Sequence, residues 1–210
     1  MLRNLRPVFN RMLLPPGRLL ARVGVTPTMV TLVGAFGVVA ASLVFYPRGE
    51  LFIGSVAVTA FVLLDMLDGA VARAADRTTR WGAFLDSTLD RLSDAAILSS
   101  LVLWFFGGGD APLLGYVTLF CLVSGFGISY IKARAEGLGA NCDVGFAERT
   151  ERLVILLVAV GLGGLGVPYV LSAGLWILAA LSGITVVQRL IETRNRLTRP
   201  RRPAGDTGTV

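Results

Sequence analysis

Apolar residues fall into six runs, 27–47, 51–74, 83–106, 112–133, 151–171 and 173–191. Each approaches the roughly 20 residues that a helix needs to cross a bilayer. Turn-forming chemistry separates them: Tyr46-Pro47-Arg48-Gly49, Arg77-Thr78-Thr79-Arg80, Gly107-Gly108-Gly109-Asp110 before Pro112, and Gly163-Gly164 with Gly166 and Pro168. The pattern predicts an all-α integral membrane protein of six transmembrane helices, with its membrane domain over 23–193. Upstream, Leu2, Leu5, Phe9, Met12 and Leu13 recur at helical spacing among Arg3, Arg6 and Arg11, which predicts an interfacial amphipathic helix within 1–22 rather than a cleaved signal peptide. Residues 194–210 read as a basic flexible tail.

Basic residues order these spans. Arginines crowd the segment before the first run, the second and fourth connections and the region after the last run, whereas Arg48 alone falls on the other side. Cytoplasmic loops are enriched in Lys and Arg, so both termini and the second and fourth connections are expected in the cytoplasm of a bacterial cell. Composition agrees: 54% of residues are hydrophobic and 16% charged, with a formal net charge of +6 that suits an anionic leaflet or anionic substrates; no nucleic-acid partner is expected. Histidine is absent, so proton transfer near neutral pH must rest on carboxylates, Tyr, Lys132, Cys or metal-bound water. Cys121 and Cys142 have no metal-ligand spacing and read as an apolar helix residue and a loop residue.

The acidic residues are concentrated where they are costly. Asp65, Asp68, Asp76, Asp86, Asp90 and Asp94 all lie in or beside apolar helices. Asp65 and Asp68, at i and i+3, share a face near the cytoplasmic end of the second span; Asp86 and Asp90, at i and i+4, share a face near the start of the third. Joined by a short turn, these antiparallel helices can bring four carboxylates together a turn or two below the surface. Four like charges in a low dielectric must protonate or bind cations, and oxygen-only ligands select a hard ion such as Mg²⁺ or Mn²⁺. Asp76 and Asp94 read equally well as caps or arginine partners. Gly69 and Gly82 suit both close helix packing and room for a nucleotide.

The run Asp65-x-x-Asp68-Gly69-x-x-Ala72-Arg73, eight residues, then Gly82-x-x-x-Asp86-x-x-x-Asp90 resembles the signature of the CDP-alcohol phosphatidyltransferase family. The resemblance implies that Asp65, Asp68 and Asp86 bind two metal ions and the diphosphate of CDP-diacylglycerol, and that Asp90 contacts metal and serves as general base toward the acceptor hydroxyl. It places Gly69, Ala72, Arg73 and Gly82 along the nucleotide. Thr26-Pro27-Thr28-Met29-Val30-Thr31 is similar to the family's Pro-Asn-x-x-Thr element, with Thr28 in place of the frequent Asn and Thr31 retained. The same segment is also a plain helix start, with Thr26 as cap and Pro27 at the first helical position.

Direct displacement is the expected course, because no Ser, Cys or His stands in a nucleophile arrangement. Ser129-Tyr130-Ile131-Lys132-Ala133-Arg134-Ala135-Glu136, Glu148-Arg149-Thr150-Glu151-Arg152 and Gln188-Arg189-Leu190 resemble the corresponding segments of the actinobacterial phosphatidylinositol phosphate synthases within that family. That resemblance implies an acceptor that is itself a phosphate, inositol 1-phosphate, held by Lys132, Arg152 and Arg189 with Arg134 and Arg149 as neighbours, and a homodimer. Taken one at a time, these cations also fit the positive-inside bias alone. Glycerol 3-phosphate is the alternative acceptor within the family. A divalent-cation or proton-coupled transporter is the alternative outside it, disfavoured because the carboxylates cluster at one side and neither half repeats the other.

Overall fold

The computed structural model describes residues 24–67, 79–142, 144–145 and 148–198. The segment expected to form the interfacial helix, and Asp68, Gly69, Ala72, Arg73 and Asp76, therefore lie outside the described residues. Six helices are described: α1 (Pro27–Phe45), α2 (Leu51–Asp65), α3 (Arg80–Phe106), α4 (Pro112–Gly137), α5 (Arg149–Gly164) and α6 (Val170–Thr198). A single 3₁₀ turn, Tyr46–Arg48, joins the first two.

Local chemistry sets their limits. The Thr26 hydroxyl accepts from Met29 N–H, with Pro27 in the first turn, so α1 starts where the Thr-Pro pair predicts. Thr79 caps α3 by accepting from Gly82 N–H at 3.0 Å, which begins that helix at Arg80 rather than 83. Glu148 and Glu151 close a capping box that starts α5 at Arg149. Three further boundaries depart from the apolar pattern. The expected fifth span to 171 ends at Gly164, because Gly166 (φ 83°), Pro168 and Tyr169 (φ 60°) make a turn before α6. At the other extreme α6 runs to Thr198, so the first residues of the expected 194–210 tail are helical. The second apolar run, expected to 74, ends its described helix at Asp65, where Met66 and Leu67 tighten into a turn through Leu67 N–H to Leu64 O.

Packing closes a ring in the order α1, α2, α5, α6, α4, α3 and back to α1. Val38, Val58, Leu101, Val160 and Leu175 belong to one buried apolar cluster, each no more than 1% exposed. Among apolar neighbours, buried hydroxyls turn back onto their own helices: Ser100 donates to Ala96 O, Thr118 to Leu114 O and Thr185 to Leu181 O, each at 2.7 Å. Gly34 lets α1 approach the end of α2, since a Cβ there would stand 2.7 Å from Asp65 Cβ.

Three of the helices, spanning Pro27–Arg48, Pro112–Gly137 and Val170–Thr198, are long and apolar enough to cross a membrane, and α2 is a shorter apolar helix. α3 and α5 carry charge instead: Asp86, Asp90, Arg91 and Asp94 between the start and the middle turn of α3, and Arg149, Glu151 and Arg152 at the start of α5. The chain is a multi-pass membrane protein, and those charges all belong to one end of the ring.

Candidate active site

All six described helices carry polar residues at that end. Asp65 is the last residue of α2; Asp86 and Asp90 occupy successive turns of α3. One carboxylate oxygen from each of Asp65, Asp86 and Asp90 falls within 4.8 Å of the others, and all three residues are half-buried. Three oxygen donors so close repel one another unless protonated or neutralised. Charge, donor type and spacing all fit a hard divalent ion, and Asp68 would be added to that set by the sequence motif.

Beside this cluster stands an arginine layer. Arg149, first residue of α5, places Nη1 2.9 Å from Asp90 Oδ1 and Nη2 3.1 Å from Asp94 Oδ1. Arg91 Nη2 lies 3.6 Å from Asp90 Oδ2 and 3.8 Å from Asp94 Oδ2, while its Nη1 donates to the Ser129 hydroxyl of α4. Arg152, one turn into α5, is buried, and its Nη1 has no hydrogen-bond partner among the described residues; the same holds for Nε of Arg91. A buried guanidinium N–H without an acceptor is costly, and among the described residues nothing supplies an acceptor for this donor. Arg91, Asp94, Arg149 and Arg152 together form the polar wall of a cleft among α3, α4, α5 and α6 whose deeper lining is apolar, including Ile97, Leu122 and Phe126.

The remaining expected cations divide. Arg189 is buried and donates Nε to Val144 O at 3.0 Å and Nη1 to Ile128 O at 2.7 Å, so it ties α6 to α4 and to the loop before α5. Cys142 is fully buried under that loop against Arg189 and Thr193, a packing role that the sequence reading had given it only as an incidental loop residue. Lys132 is half-exposed and pairs with Glu136 at 3.7 Å, and Arg134 is exposed. Thr31 is buried, donating to Pro27 O at 3.1 Å, and Thr28 is half-buried at the start of α1. Gly82 sits under the Thr79 cap, where a Cβ would come 3.1 Å from the Thr79 hydroxyl. That crowding comes from the cap of its own helix.

Sequence reasoning assigned no site role to Arg91 and Ser129, and treated Asp94 only as a cap or arginine partner. The signal for Asp94 was present: it follows Asp90 by four residues, one turn further along the same face, with Arg91 between them. Nothing in the linear pattern pairs Ser129 with Arg91, because that contact crosses from α4 to α3.

The profile of the CDP-alcohol phosphatidyltransferase family matches residues 24–187. The chain is 50% identical over 196 residues to the phosphatidylinositol phosphate synthase of Streptomyces avermitilis, covering 90% of this chain and 80% of that protein. It is 49% identical over 189 residues to the enzyme of the same name from Mycobacterium tuberculosis, covering 88% of this chain and 87% of the relative. Among solved structures, the Mycobacterium tuberculosis phosphatidylinositol phosphate synthase with CDP-DAG bound superposes with a TM-score of 0.83 at 47% identity, covering 87% of this chain and 94% of that one. The same enzyme in complex with manganese and citrate superposes with a TM-score of 0.85 at 45% identity, covering 92% of this chain and 96% of that one.

Proposed function

The chain belongs to the CDP-alcohol phosphatidyltransferase family, and on that premise we propose that it transfers the phosphatidyl group of CDP-diacylglycerol to inositol 1-phosphate, releasing CMP and forming phosphatidylinositol phosphate. The observation that carries this reading is one juxtaposition. The Asp65, Asp86 and Asp90 cluster stands at the same end of the ring as buried Arg152 with its unfilled donor. The first suits a nucleotide diphosphate with its cations, the second an acceptor that is itself a phosphate.

Asp65, Asp68, Asp86 and Asp90 are the residues that would hold two Mg²⁺ or Mn²⁺ ions. When bound, those ions supply neutralising charge to the diphosphate and to the departing CMP. Asp90 takes the proton of the acceptor hydroxyl onto a carboxylate oxygen. The hydroxyl oxygen then bonds to the phosphatidyl phosphorus as the bond to the CMP oxygen breaks. Thr28, Thr31, Gly69, Ala72, Arg73 and Gly82 line the nucleotide. Lys132, Arg152 and Arg189 hold the acceptor phosphate, adjoined by Arg134 and Arg149; guanidinium and ammonium groups fit phosphate oxygens, Arg by two parallel bonds. The acyl chains stay in the bilayer while the diphosphate meets the polar end.

Six transmembrane helices with both termini and this polar end in the cytoplasm fit the arginine distribution; a homodimer in the plasma membrane of a bacterium is what the family resemblance adds. The membrane domain proposed over 23–193 continues as helix to Thr198, flanked by the interfacial segment 1–22 and the remainder of the basic tail. The decisive experiment is CMP release from CDP-diacylglycerol by the purified protein in detergent, with inositol 1-phosphate, glycerol 3-phosphate or free inositol and with Mg²⁺, Mn²⁺ or chelator. Metal-dependent release with inositol 1-phosphate alone is the expected result. Release with glycerol 3-phosphate alone would keep the aspartate mechanism and overturn the acceptor.

A further inference from the structure

We propose that Asp94 is a positioning residue for the transfer: it anchors Arg149 and, through Arg149, orients Asp90. This inference rests on the role of Asp90 as base. α3 carries Asp86, Asp90 and Asp94 at intervals of four residues and therefore on one face. Yet among the described residues the converging carboxylates are those of Asp65, Asp86 and Asp90, and Asp94 stands outside the group.

Asp94 faces α5 instead. Arg149 Nε donates to Asp94 Oδ1 at 3.2 Å and Oδ2 at 3.3 Å, with Nη2 3.1 Å from Oδ1. A planar guanidinium held along one edge in this way has little rotational freedom left. The remaining nitrogen, Nη1, then has a determined direction, and it lies 2.9 Å from Asp90 Oδ1. Arg91 bridges the same two carboxylates from the α3 side at 3.6 and 3.8 Å, braced through Ser129 of α4. Arg149 is in turn fixed as the first residue of a helix whose start is closed by the Glu148 and Glu151 capping box. The chain of contacts thus runs from α5, through Arg149, to one chosen oxygen of Asp90.

A base carboxylate must aim a lone pair at the acceptor hydroxyl, and an Asp on a helix can otherwise turn about its side-chain bonds. A second carboxylate that grips the guanidinium and leaves one donor for the first removes that freedom. With Arg149 engaged by both carboxylates, Lys132, Arg152 and Arg189 hold the acceptor phosphate, and Arg149, though their neighbour, acts on the base rather than on the phosphate.

Steady-state CMP release in detergent, with CDP-diacylglycerol and inositol 1-phosphate, compares the unsubstituted protein with Asp94→Asn, Asp94→Glu, Arg149→Lys and the Asp94→Asn, Arg149→Lys pair. Asp94→Asn is expected to lower kcat about 10- to 100-fold, the scale of an ångström of misplacement, with both KM values within about twofold and the thermal midpoint unchanged. Arg149→Lys, whose ammonium cannot span two carboxylates, is expected to match it, the pair to be no worse than either single change, and Asp94→Glu to recover part of kcat. Unchanged kcat in Asp94→Asn overturns the proposal. So does a loss expressed as a raised KM for inositol 1-phosphate, which would place the pair in acceptor binding, or a loss in all variants that follows a lowered midpoint. Absence of CMP release by the unsubstituted protein with any acceptor removes the functional reading and this inference with it, and is told apart because no substitution is involved.

Discussion

The two ends of the helical ring are held by opposite means. At the end where α1 turns into α2, Tyr46 and Phe105 are buried to 0% and 1% exposure, the Trp104 ring lies tilted against Phe105 with ring centroids 4.8 Å apart, and the Tyr46 hydroxyl meets Ser55 Oγ at 3.3 Å. Gly54 makes that fit: a Cβ would stand 2.7 Å from the Tyr46 ring. At the other end Asp65, Asp86, Asp90 and Asp94 are only half-buried, and Asp90 and Asp94 are held by arginines from α3 and α5. Close packing needs no charge and tolerates little change of shape, whereas a charged cluster costs free energy unless its partners are present. Each kind of substitution should therefore be felt at its own end. Stability is concentrated at the tight end, and reactivity at the end where carboxylates are gathered against their repulsion.

Substitution at each end tests that division. The largest effect is expected from Asp90→Asn, which would remove the proposed base while sparing most of the proposed ligand set. CMP release should fall by about 10²- to 10⁴-fold with donor binding still measurable by titration of CDP-diacylglycerol. Near-normal turnover would take the base role from Asp90. Next is Lys132→Ala. Loss of a charged contact of about 1.5–3 kcal/mol should raise the KM for inositol 1-phosphate roughly 10- to 100-fold and leave the KM for CDP-diacylglycerol alone. Equal rises in both would reduce Lys132 to a topological charge.

At the tight end the readout changes from rate to stability. Gly54→Ala forces a methyl group into the Tyr46 ring and should cost about 1–3 kcal/mol, seen as a lower thermal midpoint in detergent with kcat per folded molecule preserved. Loss of kcat without loss of midpoint would mean that the two ends are coupled. The smallest effect is expected from Tyr46→Phe, which deletes the bond to Ser55 and should cost about 0.5–1.5 kcal/mol by the same measurement.

Much of this was legible in one dimension because two periodicities carry it. Apolar run length marks helices that must satisfy their own backbone in lipid, so all six appeared near their expected positions. Local capping chemistry refined several ends: Thr26 with Pro27 started α1 as read, and Thr79 moved the start of α3. The misread boundary between α5 and α6 arose because the residues of the turn, Leu165, Val167 and Tyr169, are themselves apolar, so run length continued where the backbone turned. Spacing of Asp86 and Asp90 placed both on one helical face, and Asp65 joined them across the hairpin.

Residue types and their spacing along a single helix are properties of the chain itself, which is why the sequence determined the helices, the aspartate face and the charge asymmetry. Which atoms touch across helices depends on rotation and depth, and a helix of 3.6 residues per turn records neither in its sequence. Only the closed ring decided that Arg149 divides its guanidinium between Asp90 and Asp94, that Arg189 spends two of its nitrogens on the carbonyls of Val144 and Ile128, and that Arg152 keeps a buried donor open. These arginines look alike as letters. Burial and the acceptors within reach of each guanidinium set them apart.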